Sequence, residues 1–234
     1  MESARFRRAV LTRGREAVAF ARQAWLLRHD TGTAVLPALA RDGDDVVVFM
    51  HGLFATAGVL RPIRAAIARY PGIHSTALSY VPGPGVVELA SRLAALIDEL
   101  PRGARVHLVG HSLGGIVVRY FAQEVGDRRV VQTISLASPF AGVPRAGLLG
   151  FGGARDLDES SPVLRKVLVG AERASHVPHL SIIAGADTLV RSPVAHALPF
   201  GDVVVLHDRG HNTLLFDDDV VKIVASRVLD RRPA

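Results

Sequence analysis

The chain has 234 residues, 49% of them apolar, no cysteine, and 28 Lys+Arg against 22 Asp+Glu for a formal net charge of +6. That length suits one domain burying roughly three quarters of the surface it would expose unfolded, which excludes disorder as the main state. The missing cysteine removes disulfides, thiolate metal sites and a cysteine nucleophile together, and no apolar stretch reaches the ~18 residues of a membrane span without a strand signal or a proline inside it.

At the amino end, Arg5, Arg7, Arg8, Arg13, Arg15, Arg22 and Arg28 face only Glu2, Glu16 and Asp30. The rest of the chain is nearly balanced and shows no basic face interleaved with aromatics, so no nucleic-acid partner is expected. The longest apolar stretch of this segment, Ala17 to Ala21, is cut by Arg22 and is too short for a signal peptide, so a cytoplasmic protein is expected. Phe6, Val10, Ala17, Phe20, Ala24 and Leu27 recur at helical spacing, broadened by Trp25 and Leu26, with Gly14 expected to interrupt. Such a stripe fits a basic amphipathic helix in peripheral contact with an anionic membrane, or a helix packed on the domain's own surface, the commoner use of an apolar stripe. Residues 1–44 are therefore read as a basic helical extension, and 45–234 as the domain.

From there β-branched runs alternate with helical stretches. Strands are expected at Val46–Met50, Ile73–Ser79, Arg105–Val109, Val130–Leu136, His179–Ala184 and Val203–Leu206. Helices are expected at Thr56–Arg69, Val86–Leu100, Leu113–Glu124 and Val220–Leu229. Continuous apolar strands, each followed by a helix, specify a doubly wound α/β fold around a mainly parallel sheet with helices on both faces. Residues 140–178 break the alternation with Gly147, Gly150, Gly152 and Gly153 ahead of a short polar helix at Asp158–Leu168, and read as a cap-like insertion.

The sharpest chemical signal is Gly110-His111-Ser112-Leu113-Gly114, a G-x-S-x-G between a strand and a helix. A serine on that turn projects above the sheet edge at the amino end of a helix, where N–H groups favour developing negative charge. A serine hydroxyl needs a base, itself oriented by a carboxylate, and in this topology the chain order is serine, acid, histidine. Asp187, after the strand ending at Ala184, and His211, ahead of the last helix, fit that order. Asp208 is too near His211 along the loop to reach the far side of its ring, and Asp217–Asp219 read as caps. The oxyanion hole of such a site takes the N–H of Leu113 and a second from the loop after an earlier strand, here Leu53 of His51-Gly52-Leu53-Phe54. His51 and His111 are read as hydrogen-bonding residues. His107/His111 and His207/His211 each span a strand and a turn, so no metal site is expected. Asp156, Asp158 and Glu159 read as a solvated helix cap ahead of a calcium site. The chain has no phosphate-binding loop of the G-x-x-x-x-G-K-[ST] type, and no cofactor is expected.

Phe49-Met50-His51-Gly52-Leu53, Gly110-His111-Ser112-Leu113-Gly114-Gly115, Ser135-Leu136-Ala137-Ser138-Pro139, Ala186-Asp187-Thr188-Leu189-Val190 and Gly210-His211-Asn212-Thr213-Leu214-Leu215 together resemble the α/β-hydrolase superfamily, and within it the small bacterial lipases and esterases. The resemblance implies a serine hydrolase with Ser112 as nucleophile, His211 as base, Asp187 as its orienter, and Leu53 and Leu113 as oxyanion donors. The first 44 residues have no counterpart in the minimal lipase domain. Phe54 and Phe140, with Leu53, Leu113 and the loop Leu148-Leu149-Gly150-Phe151, suggest an apolar acyl group in a small-molecule ester or lipid substrate. Acyl transfer, thioester or amide cleavage on the same triad, and a catalytically silent binding module, are the alternatives.

Overall fold

The computed structural model describes residues 2–231 except 33, 35, 38 and 191, with side chains from residue 10 onward. Six strands, β1 (Asp45–Met50), β2 (Ile73–Leu78), β3 (Arg105–His111), β4 (Val130–Leu136), β5 (His179–Ala184) and β6 (Asp202–Leu206), form one sheet. Every neighbouring pair is parallel, in the order β2-β1-β3-β4-β5-β6. Alternate residues of β1 feed two cores: Val46, Val48 and Met50 face one side, Val47 and Phe49 the other. A strand buried on both faces needs no polar alternation, which is why it reads as an unbroken apolar run.

On the first side lie α3 (Val86–Asp98), α4 (Leu113–Tyr120) and α6 (Pro162–Gly170), with the short α5 (Gly152–Asp156) beside them. On the other lie α2 (Arg61–Ile67) and α7 (Asp218–Leu229). This is the doubly wound α/β arrangement expected from the sequence. The chain winds outward from β1 to β2 and then returns past β1 to β3, so the order reverses between β1 and β3. Ligands of open α/β sheets bind outside the carboxyl ends of the strands at such a reversal.

Several element bounds differ from the sequence reading for local reasons. The helix expected from Thr56 opens as a 3₁₀ turn, Ala57–Leu60, and α2 begins only at Arg61, with Pro62 in its first turn. The helix after Ser112 is α-helical to Tyr120 and ends in one π turn, Phe121–Val125. The helix expected from Asp158 starts at Pro162 instead, because proline suits a first turn and not an interior. The Ser161 hydroxyl caps it, accepting the N–H groups of Val163 and Leu164. Inside the 140–178 segment, the Asp156 carboxylate accepts the Val86 N–H at 2.6 Å, pinning this segment to the start of α3. Asp158 accepts from Gly147, Ser160 N–H and the Ser160 hydroxyl.

The amino-terminal helix departs most from expectation. α1 (Glu2–Leu26) runs unbroken through Gly14, since an exposed glycine costs a helix only about 1 kcal/mol. The seam it lays on the domain is Glu16, Ala19, Gln23 and Leu26, of which Ala19 and Leu26 are buried, whereas Val10, Ala17, Phe20, Ala24 and Trp25 of the expected stripe are exposed. The Phe6, Arg5, Arg7 and Arg8 side chains lie outside the described residues. Just beyond α1, the Thr56 hydroxyl donates to the carbonyls of Leu27 and His29, and Arg61 forms a two-pronged ion pair with Asp30. Among the described residues, no helix is long and apolar enough to cross a membrane.

Candidate active site

Ser112 sits between the end of β3 and the start of α4 with φ 53° and ψ −121°, a left-handed backbone that serine rarely adopts. Gly110 and Gly114 make this turn possible. A Cβ on Gly110 would collide with the backbone of Gly114, and one on Gly114 with the carbonyls of Met50 and His51. The Ser112 N–H donates to the Leu136 carbonyl at 2.9 Å, so the strained residue is tied to β4. Leu113 is the first residue of α4, where backbone N–H groups have no partner within the helix. Leu53 follows β1, the direct neighbour of β3, so both oxyanion candidates stand at the reversal of strand order.

Asp187 leaves β5 and His211 follows β6, and their side chains meet with His211 Nδ1 2.7 Å from Asp187 Oδ2. A carboxylate only accepts, so Nδ1 carries the proton and donates, which in the uncharged tautomer leaves Nε2 as the accepting nitrogen. The other Asp187 oxygen accepts the N–H groups of Leu189 and Val190 at 2.8 and 3.1 Å. Burial opposes ionisation of Asp187, but the hydrogen bond and charge of His211 and these two amides outweigh it and hold the carboxyl below its ordinary value. The pair is almost sealed from solvent, with side-chain exposures of 7% and 2%.

Two further histidines buttress the site. His111 Nε2 donates to the main-chain carbonyl of His211 at 3.1 Å, and the two rings meet edge to face at 4.8 Å. Burial, then the proximity of His211, pushes the His111 value down to about 3, so its ring is neutral. His51 donates from Nδ1 to the Gly52 carbonyl and accepts the Tyr80 N–H on Nε2, while the Tyr80 hydroxyl donates to the His51 carbonyl. Burial lowers His51 to about 4. Each ring fixes backbone beside the serine, and neither is placed as a base.

A cavity of about 550 Å³ opens over these residues, lined by Ser112, His111, His211, Gly52, Leu53 and Phe54, with Pro139, Val143, Leu157, Leu189 and Val190 across from them. Its remaining wall comes from α1, through Phe20, Gln23 and Ala24, and from Leu27 just after it. A wider groove of about 670 Å³ on the other flank of α1 contains none of the proposed chemistry. Phe54, at φ 55°, lies on the rim of the cavity. Phe140 does not belong to it: its side chain is buried in the core, edge-on to His179 at 5.5 Å, because the turn after Pro139 directs this ring under the sheet edge. Leu113 likewise contributes its backbone position while its side chain packs into the core.

Glu16 was invisible to sequence reading. Its two oxygens accept four hydrogen bonds, from Asn212 N–H (2.8 Å) and Nδ2 (3.0 Å) and from Thr213 N–H (3.1 Å) and hydroxyl (2.7 Å). These are the two residues immediately after His211. The sole hint in the sequence is that Glu16 is the one carboxylate between residues 10 and 28, among arginines.

The family model for palmitoyl protein thioesterase matches residues 46–171. No curated protein sequence matches the chain. Among solved structures, the mature form of a Bacillus licheniformis lipase superposes with a TM-score of 0.64 at 15% identity, over 83% of this chain and 96% of that one. Lipase B of Aspergillus fumigatus gives 0.67 at 15% identity over 86% of this chain, which spans 56% of that lipase. A metagenomic carboxyl esterase gives 0.61 at 16% identity, over 82% and 76%. At these identities the likeness is one of fold.

Proposed function

The chain belongs to the palmitoyl protein thioesterase family, a lipase-, esterase- and thioesterase-like group of α/β-hydrolases, and on that footing we propose that it is a serine hydrolase cleaving carboxylic esters of apolar acyl groups through an acyl-enzyme. The observation that carries the reading is the 2.7 Å bond from His211 to Asp187, with the histidine lining the same cavity as the left-handed Ser112. Ser112 Oγ attacks the carbonyl carbon as His211 Nε2 takes its proton, and the Leu53 and Leu113 N–H groups receive the negative oxygen. The tetrahedral intermediate collapses, the leaving alcohol departs with the proton from His211, and water repeats the sequence to release the acid. Asp187 keeps the ring in the tautomer that leaves Nε2 free and stabilises its charged form. The walls at Leu53, Phe54, Val143, Leu157, Leu189 and Val190 suit an acyl chain, whose burial contributes about 0.8 kcal/mol per methylene.

The matched family favours a second reading on the same residues, in which the scissile bond is a thioester. Paired aryl oxygen esters and alkyl thioesters of equal acyl length, taken from two to sixteen carbons, test both readings. A kcat/KM that rises with chain length for either series supports an apolar acyl site. No turnover of either series by protein that labels with a fluorophosphonate directs the reading to another acceptor or an amide, and no turnover with no labelling ends it.

A further inference from the structure

We propose that Glu16 of α1 is a positioning residue for His211, so that the amino-terminal helix is a working part of the active site. The inference rests on His211 being the base. Asp187 fixes the imidazole from its Nδ1 side and His111 holds the His211 carbonyl. Neither constrains the chain that continues beyond His211, which turns through Asn212 into the 3₁₀ turn Thr213–Phe216. Glu16 supplies that constraint across nearly two hundred residues of sequence, with both carboxylate oxygens used and every donor in two successive residues engaged. Charge-assisted bonds to backbone N–H groups are shorter and stronger than neutral ones. The preceding residue is shaped to fit: a Cβ on Gly210 would collide with the Glu16 carboxylate. The helix bearing Glu16 is anchored independently by buried Ala19 and Leu26 and by Thr56 on the carbonyls that follow it.

A general base misplaced by about 1 Å can cost on the order of 100-fold in rate. Glu16→Ala is therefore expected to lower kcat roughly 10- to 100-fold on a short soluble ester, to slow fluorophosphonate labelling in parallel, and to leave KM nearly unchanged. Glu16→Gln keeps the size but turns an amide N–H₂ toward donors, so it should fall between Ala and the parent in the same two measurements, and it remains informative where Glu16→Ala aggregates. Undiminished kcat and labelling rate in either folded variant, with only a lower melting temperature, would overturn the proposal and leave Glu16 as a fold anchor. Failure of the underlying reading is a different result: a Ser112→Ala protein that still turns over.

The outward face of the same helix carries a second inference: we infer that it docks on an anionic lipid surface. Between residues 10 and 28 the only carboxylate is Glu16, and it is turned inward, which leaves Arg13, Arg15, Arg22 and Arg28 around an outward face of Leu11, Val18, Phe20 and Trp25, each more than half exposed. Leu11 and Val18 stand on the flank of the wider groove, while Phe20 stands on the opposite flank as a wall of the cavity, with Phe54 and Leu189 similarly exposed on the facing rim, so exposed apolar side chains reach from both flanks of the helix to the cavity mouth. Arginine-flanked apolar helices lie in the lipid interface, held by burial and by anionic headgroups together. Trp25 is the only tryptophan in the chain, so its fluorescence reports this face alone. Vesicles containing phosphatidylglycerol should shift its emission to the blue, with binding weakened as salt rises, and phosphatidylcholine vesicles should bind far less. Leu11→Glu/Val18→Glu should abolish binding and spare soluble-ester turnover. No shift with anionic vesicles, or a concentration-dependent dimer that buries Trp25 in their absence, would overturn it.

Discussion

Two buried Asp–His pairs sit at opposite ends of this sheet, and they differ in almost everything except the bond itself. At the amino ends of the strands, His107 Nε2 meets Asp45 at 2.9 Å, Arg105 grips the same carboxylate with two donors, and Gln132 donates to His107 Nδ1. At the carboxyl ends, His211 meets Asp187 at 2.7 Å. The first ring has both nitrogens engaged by protein and is fully buried. The second has one nitrogen held by a carboxylate, and the residue lines a cavity that a strained serine shares. An Asp–His pair is thus not in itself chemistry. It becomes chemistry when one nitrogen is left for a reacting atom, and in a parallel sheet that opportunity lies where the loops leave the carboxyl ends.

The largest way to break this contrast is at the serine. Ser112→Ala should reduce turnover by roughly 10⁴- to 10⁶-fold with circular dichroism unchanged, because it removes one oxygen from a partly exposed turn. Asp187→Asn should cost about 10⁴-fold in kcat, since an amide favours the wrong tautomer. Asp45→Asn, the same change at the other pair, should act through stability: leaving Arg105 and His107 without their charge partner costs about 3–5 kcal/mol in urea titration, while kcat per folded molecule stays within about twofold of the parent. A large kcat loss in well-folded Asp45→Asn protein would erase the distinction.

Acid sharpens it differently. His51 and His111 are held neutral, at about 4 and about 3, below the 6.5 of an ordinary histidine. Between about pH 6.5 and 4 the unfolded chain binds protons that the native state refuses, so stability falls with pH by up to about 1.4 kcal/mol per unit for each ring. Urea midpoints at successive pH values should show this slope, and a flat profile from pH 6.5 to 4.5 would mean that these rings are not buried neutral. The smallest effect separates the two phenylalanines. Phe54→Ala should weaken binding of long acyl substrates with stability within about 0.5 kcal/mol, whereas Phe140→Ala should cost about 3–5 kcal/mol of stability with chain-length preference intact.

What could be read from the sequence follows the range of the forces involved. β4 and β5 are legible to the residue because β-branched runs bounded by turns state a buried strand locally. G-x-S-x-G is legible because the steric demand for Gly110 and Gly114 is local to one turn and its neighbouring strand. Phe140 was misassigned because sequence distance to Ser138-Pro139 says nothing of which side of the sheet edge a ring falls on. The docked seam of α1 is illegible for a related reason: it is short, Ala19 and Leu26 around a carboxylate, and that carboxylate is explained only by donors at Asn212 and Thr213.

The central claim is a covalent acyl group on Ser112 raised by the His211–Asp187 pair. Intact-mass and peptide mapping after brief exposure to a fluorophosphonate test it most directly. A single adduct on the peptide carrying Ser112 is expected, formed in the parent and in Asp45→Asn, slowed in Asp187→Asn and absent in Ser112→Ala. An adduct on another serine, or equal labelling of the parent and Ser112→Ala, would contradict it.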